Sequence, residues 1–240
     1  MAGNPRLAAA ALCAALCAAA CSRKPEPLDK WLAIHGDFSQ LSRYRKANAG
    51  LKPPAPGEKR VIFMGDSITD NWPLAGYFPG KPYIGRGIGG QVTAQMLARF
   101  HQDVVALKPA AVVILGGTND IVGGYIPATD VEGSYISMAD IARANGIRVI
   151  FASVLPVNNY DPKNRAMTLF CPLNKLRGLN TWLEQYCKTR GFVYLDFFNA
   201  LKDNNGLLKA EYSNDGVHPN AAGYAAMAPL TQAAIDRALE

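Results

Sequence analysis

With 240 residues, 49% of them hydrophobic and 18% charged, the chain has the composition of a globular protein large enough to bury a core, which excludes a disordered chain. Its formal charge of +6 is dispersed, with no block of like charge, so no nucleic-acid partner is expected.

The first element in chain order is a leader. The stretch MAGNPR carries one positive charge and precedes an unbroken apolar run of 14 residues, Leu7 to Ala20. That run is shorter than the roughly 20 residues a membrane-spanning helix needs, but it suits the hydrophobic region of a secretory signal. It ends LCAAAC, so residues 1–20 are expected to be cleaved before Cys21. The ending is similar to the lipobox of bacterial lipoproteins, except that Ala18 stands where leucine is usual. Two fates remain open: a periplasmic lipoprotein tied to the membrane through Cys21, or ordinary cleavage nearby and secretion.

Residues 21–57 read as a tether, a short helical segment and a linker. The stretch LKPPAPGEK resists regular structure because its prolines lack donors and fix φ. Residues 58–240 read as the folded domain. Short β-branched runs appear there at RVIFM, PYI, AVVIL, IRVIFASV and FVYL. Helical periods separate most of them: TAQMLARFHQDVVALK, the segment opening with a Thr129-x-x-Glu132 capping box, the segment after Pro172, and a last helix. Asn220 is placed to cap that last helix, and Pro229 to kink it. Continuous apolar runs mark strands covered on both faces, which means a parallel α/β sheet.

Cys171 and Cys187 flank a stripe of Leu176, Leu179 and Leu183 at helical spacing. A helix of that length spans about 24 Å, whereas disulfide Cα atoms lie within about 7 Å, so both cysteines are expected to be free.

Chemistry collects in the loops after the strands. The first strand runs into GDSITD, in which a serine follows an acid. The second leads to IGRGIGGQVT, whose glycines let backbone N–H groups face an anion near a helix start at Gln91. Gly85, Gly87, Gly89 and Gly90 lack the G-x-G-x-x-G spacing, and this is not the first βα turn, so a dinucleotide site is excluded. The third strand ends at GGTND, where the Asn119 amide is a suitable oxyanion donor. Before the last helix, NDGVHPN sets Asp215 three residues from His218. A serine hydroxyl needs a base, and that imidazole needs a carboxylate to fix its tautomer. Asp215 and His218 offer both from one turn. His35 and His101 read as structural or surface residues. No cofactor is called for; Asp66, Asp70 and Asp120 are too few convergent oxygens for a cation, and no zinc spacing is present, so no metal is expected.

These four segments, GDSIT, the glycine loop, GTND and DGVHP, in this order, resemble the motif blocks of the SGNH hydrolases, or GDSL esterases. The resemblance covers about residues 60–240. It implies a flavodoxin-like three-layer α/β/α sandwich with a five-stranded parallel sheet of order 2-1-3-4-5. It also implies Ser67 as nucleophile, Asp215 and His218 as the rest of a triad, and the Ser67 N–H, Gly90 N–H and Asn119 as oxyanion donors. Gly89 is the alternative to Gly90. Gly85 and Gln91 depart from the family pattern, in which asparagine and an acid are common.

The expected activity is hydrolysis of a carboxylic ester, a short acyl group such as acetyl on a carbohydrate or other small alcohol, through an acyl-enzyme on Ser67. Lysophospholipase- or thioesterase-like hydrolysis, acyl transfer by the same triad, and a non-catalytic glycan-binding lipoprotein stay open as alternatives. So does the placing of Trp72, Tyr77 and Phe78, which suit a pocket wall and helix packing equally.

Overall fold

Every residue of the first and third apolar runs is buried, and their side chains alternate between two separate cores. This is what a strand covered on both faces requires, because successive Cβ atoms point to opposite sides. Ile62, Met64, Val112, Ile114, Val149 and Phe151 enter one core; Val61, Phe63, Val113, Leu115 and Ile150 enter the other.

The computed structural model describes residues 36–122 and 124–240. The apolar run, Cys13, Cys17, Cys21 and His35 lie outside the described residues. A first unit ends at Phe38, and the second, Ser39–Glu240, carries all that follows. Its elements are α1 (Ser42–Ala49), β1 (Val61–Gly65), α2 (Ser67–Asp70), α3 (Leu74–Tyr77), β2 (Tyr83–Gly87), α4 (Thr93–Asp103), β3 (Ala111–Leu115) and α5 (Thr118–Ile121). They continue with α6 (Ala128–Ala144), β4 (Arg148–Ala152), α7 (Met167–Phe170), α8 (Leu173–Arg190), β5 (Val193–Leu195), α9 (Phe197–Leu201) and α10 (Ala221–Leu239). The five strands are parallel in the order β2-β1-β3-β4-β5, as expected. Helices α4, α6 and α8 pack on one face, while α9, α10 and the residues around α3 pack on the other.

Adjacent β1 and β3 lead away in opposite directions to β2 and β4, and crevices at such switch points hold ligands. Gly87, ending β2, lets the turn carrying Ser67 come close. A Cβ there would stand 2.0 Å from the Asp70 backbone nitrogen. No side chain fits in that space.

Local signals were realised unevenly. Leu176, Leu179, Leu183 and Cys187 form the buried stripe of α8, and Cys171 and Cys187 are both free and buried. Asn220 caps α10 by accepting from the N–H groups of Ala222 and Gly223, and the helix continues through Pro229. The capping box at Thr129 does not form. Helix α6 starts at Ala128 behind Pro127, so Thr129 already lies in the first turn, where its hydroxyl meets Asp130. Trp72 and Phe78 are each 5% exposed and belong to the core, with Trp72 stacked on Tyr224. Tyr77 is half-buried and donates to the Ala221 carbonyl.

Helix α1 buries no residue, yet it is docked through polar side chains. Asn48 donates to Asp103 and accepts from the Arg86 guanidinium, which lies over the Tyr44 ring. The Tyr44 hydroxyl donates to the Gly87 carbonyl.

Candidate active site

The turn between β1 and α2 is shaped by Asp66, whose carboxylate caps α2 by accepting from the Ile68 N–H at 3.0 Å. This lifts Ser67 half-exposed at the carboxyl end of the sheet. Its hydroxyl lies 2.9 Å from Nε2 of His218, 151 residues away in sequence. The other ring nitrogen of His218 lies 2.7 Å from Oδ2 of Asp215. Asp215, His218 and Ser67 are therefore brought into one chain of hydrogen bonds.

The Asp215 carboxylate is heavily bonded. Its Oδ1 accepts from the N–H groups of Val217 and His218 at 2.9 and 2.8 Å and from the Ser213 hydroxyl at 3.1 Å. Partial burial alone would raise its pKa, but the bonds from His218 and Val217 outweigh this and bring it down to about 2. The loop after β4 braces this turn from outside: Asn158 N–H donates to the Gly216 carbonyl, Tyr160 to Ser213 and Asn164 to Asp215. Sequence reading missed that role, because loop-to-loop bonds leave no periodic signature.

Asn119, opening α5 after β3, donates from Nδ2 to the Gln91 carbonyl at 3.0 Å. An amide NH2 carries two donors, so one remains for a ligand. Gly90, immediately before Gln91, has φ +77° and stands exposed. Among the described residues, the N–H groups of Ser67 and Gly90 donate to no protein acceptor, whereas the Gly89 N–H is held by Asp70 Oδ2 at 3.2 Å. Of these two glycines, Gly90 keeps its N–H free while Gly89 does not.

Two acids that sequence reading gave no role tie these loops together. Asp70 accepts from Gly89 and pairs with Arg43 at 3.3 Å. Asp120, buried, accepts from both the N–H and the hydroxyl of Thr93, fastening the GGTND loop to the start of α4. Burial raises its pKa, partly offset by the two bonds from Thr93. The position of each beside a motif was the available signal. Asp66, Asp70 and Asp120 thus serve three different backbone partners. Among the described residues no group of three or more His, Cys, Asp or Glu side chains could hold a metal ion. His101 is exposed on α4.

Burial pushes the Asp66 carboxyl from 3.8 up to about 6, against the Ile68 N–H bond and the nearby His218, which pull it down. A raised folded-state pKa adds stability below pH 3.8 that is lost as pH rises through about 6. Replacing Asp66 by asparagine keeps an acceptor for Ile68 and removes this loss. Asp66→Asn is therefore expected to gain on the wild type by a few kcal/mol (order of magnitude) between pH 4 and pH 8, read from urea midpoints at both. Equal midpoint differences at the two pH values would contradict it.

An apolar groove of about 380 Å³ adjoins Asp120, walled by Ile121, Ile126, Val131, Leu169, Phe170 and Leu179. Leu169 and Phe170 are 75% and 52% exposed at its edge.

Residues 63–226 match the family described as the GDSL-like lipase/acylhydrolase family. The esterase TesA of Pseudomonas aeruginosa is 36% identical over 143 residues; the match takes in 58% of this chain and 62% of TesA, less than two thirds of that relative's length. A solved GDSL-like lipase from Bacteroides thetaiotaomicron is 39% identical with a TM-score of 0.77, over 84% of this chain and all of that one. The acetylxylan esterase Axe2 of Geobacillus stearothermophilus, solved as a catalytic mutant, is 22% identical with a TM-score of 0.57. That match covers 77% of this chain and 96% of the esterase, a likeness of fold alone.

Proposed function

The chain belongs to the GDSL-like lipase/acylhydrolase family, and from that premise we propose that it is a serine ester hydrolase acting through an acyl-enzyme on Ser67. The observation that carries this reading is the continuous relay from Ser67 Oγ to His218 Nε2 at 2.9 Å and from His218 Nδ1 to Asp215 at 2.7 Å.

His218 takes the Ser67 proton as the hydroxyl oxygen attacks the acyl carbon. Negative charge then builds on the carbonyl oxygen, which the free N–H groups of Ser67 and Gly90 and the second N–H of Asn119 stabilise. His218 returns the proton to the leaving alcohol. Water, activated by the same imidazole, releases the acid and restores Ser67. Asp215, ionised throughout, holds the ring in the tautomer that presents a bare Nε2.

The substrate proposed is a short-chain ester, such as an acetyl group on a carbohydrate or other small alcohol. The polar Asn158–Asn164 segment beside the catalytic turn supports a hydroxyl-rich leaving group. A second reading rests on the groove beside Asp120, whose apolar walls suit a longer acyl chain. A p-nitrophenyl ester series from acetate to palmitate tests both. On the first reading kcat/KM is highest for acetate and falls with length. On the second it rises up to about 4-fold per methylene, the equivalent of about 0.8 kcal/mol for each buried CH₂. No turnover of any member would remove the hydrolase reading.

Export is proposed on the leader's apolar run, with lipid attachment at Cys21. Among the described residues no helix is long and apolar enough to cross a membrane. Mass spectrometry of the mature N-terminus separates a lipidated Cys21 from a plain cleavage product.

A further inference from the structure

Gly90 is exposed, and a Cβ added there would point into open space. A donor that stabilises charge must nevertheless be fixed before the charge appears. The residues next to Gly90 supply the fixing. Gly89 is tied to Asp70, and Gln91, which is fully buried, has every polar group committed. Its backbone N–H donates to Ile88, and its carbonyl accepts from Asn119. Its side-chain Oε1 accepts from Arg99 Nε at 2.6 Å, and its Nε2 donates to the Ser39 carbonyl at 2.9 Å.

Arg99 is itself fully buried on α4 and ties the ends of two strands to the same point. It donates to the carbonyls of Gly65, two residues before Ser67, and of Arg86 in β2, each at 2.9 Å, and pairs with Asp103. The nucleophile's strand, the glycine loop and the Asn119 amide thus share one buried anchor.

We infer that Gln91 is the positioning residue of the oxyanion donors: its clamped side chain aims both the preceding Gly90 N–H and, through its own carbonyl, the Asn119 amide. The inference rests on the proposed role of Asn119 and Gly90. It also gives a use to Ser39, ahead of the matched residues 63–226, as one jaw of the clamp.

The test is a double-mutant cycle on the whole protein with p-nitrophenyl acetate. Gln91→Met keeps the length of the side chain and loses both of its bonds. Gln91→Glu keeps the acceptor for Arg99 but cannot donate to Ser39. Asn119→Ala alone is expected to lower kcat about 10²–10³-fold. Gln91→Met should lower kcat at least about 10-fold with KM within about 2-fold, and Gln91→Glu should fall between it and wild type. Combined with Asn119→Ala, either Gln91 variant should cost less than the product of the single losses. Full multiplication in folded proteins, or a change in KM alone, would overturn the positioning role while leaving the hydrolase reading intact. An Asn119→Ala variant with wild-type kcat would overturn the oxyanion reading itself, and this inference with it. Should Gln91→Met fail to fold, Gln91→Glu carries the cycle.

Discussion

Ser67→Ala is expected to lower kcat for p-nitrophenyl acetate by at least about 10⁴-fold while leaving the thermal midpoint within a few degrees of wild type. The loss is large because, among the described residues, no other hydroxyl is placed against Nε2 of His218, and without a nucleophile the relay has no proton to take. Stability should barely change, since Oγ is partly exposed and, among the described residues, bonds only to His218. Two measurements settle it: initial rates, and mass spectrometry of the quenched protein, where wild type gains an acyl group and the variant does not. A Ser67→Ala protein active within about 10-fold of wild type would remove the acyl-enzyme mechanism.

Asp215→Asn should cost about 10⁴-fold in kcat with the fold preserved. An asparagine retains the shape and one acceptor, so the bonds from the Val217 and His218 N–H groups to Oδ1 survive. The other oxygen becomes an NH2 group facing Nδ1. That ring nitrogen must then accept, the proton moves to Nε2, and the imidazole offers Ser67 a donor where it needs an acceptor. The same environment sets a pH statement. Asp215 has its folded pKa lowered to about 2, so its contribution to stability is present above pH 3.8 and is lost as pH falls through about 2. An acid limb of activity lying above pH 4 therefore comes from a group other than Asp215.

The sheet was legible because β1 and β3 are unbroken apolar runs, which only a doubly covered parallel sheet can bury. The four motif segments were legible as chemistry because Ser, His, Asp and Asn side chains at strand ends have few structural uses in common. What escaped is of another kind. A docked helical segment was expected ahead of the domain on its aromatic and aliphatic residues, but α1 buries none of its residues and docks by Arg43, Tyr44 and Asn48 instead. Trp72 and Phe78 follow Ser67 closely in sequence, yet after α2 the chain swings back beneath α10, so that nearness along the chain says nothing about which way a ring points. The Thr129 box failed because the helix starts at Ala128 behind Pro127, which leaves Thr129 already inside the first turn. Asp70 and Asp120 were visible as letters of their motifs; only their three-dimensional partners reveal that they fasten loops together.

The histidine that reaches Ser67 sits just ahead of the helix that ends the sheet's second covering layer, some 150 residues downstream of the serine. During synthesis, most of the chain emerges before its base exists. On the proposed mechanism, a nascent chain that has Ser67 but not yet His218 lacks the base needed to attack an ester. On the proposed mechanism turnover begins only once His218 meets Ser67, so hydrolysis of a chromogenic ester would double as a readout of completed folding.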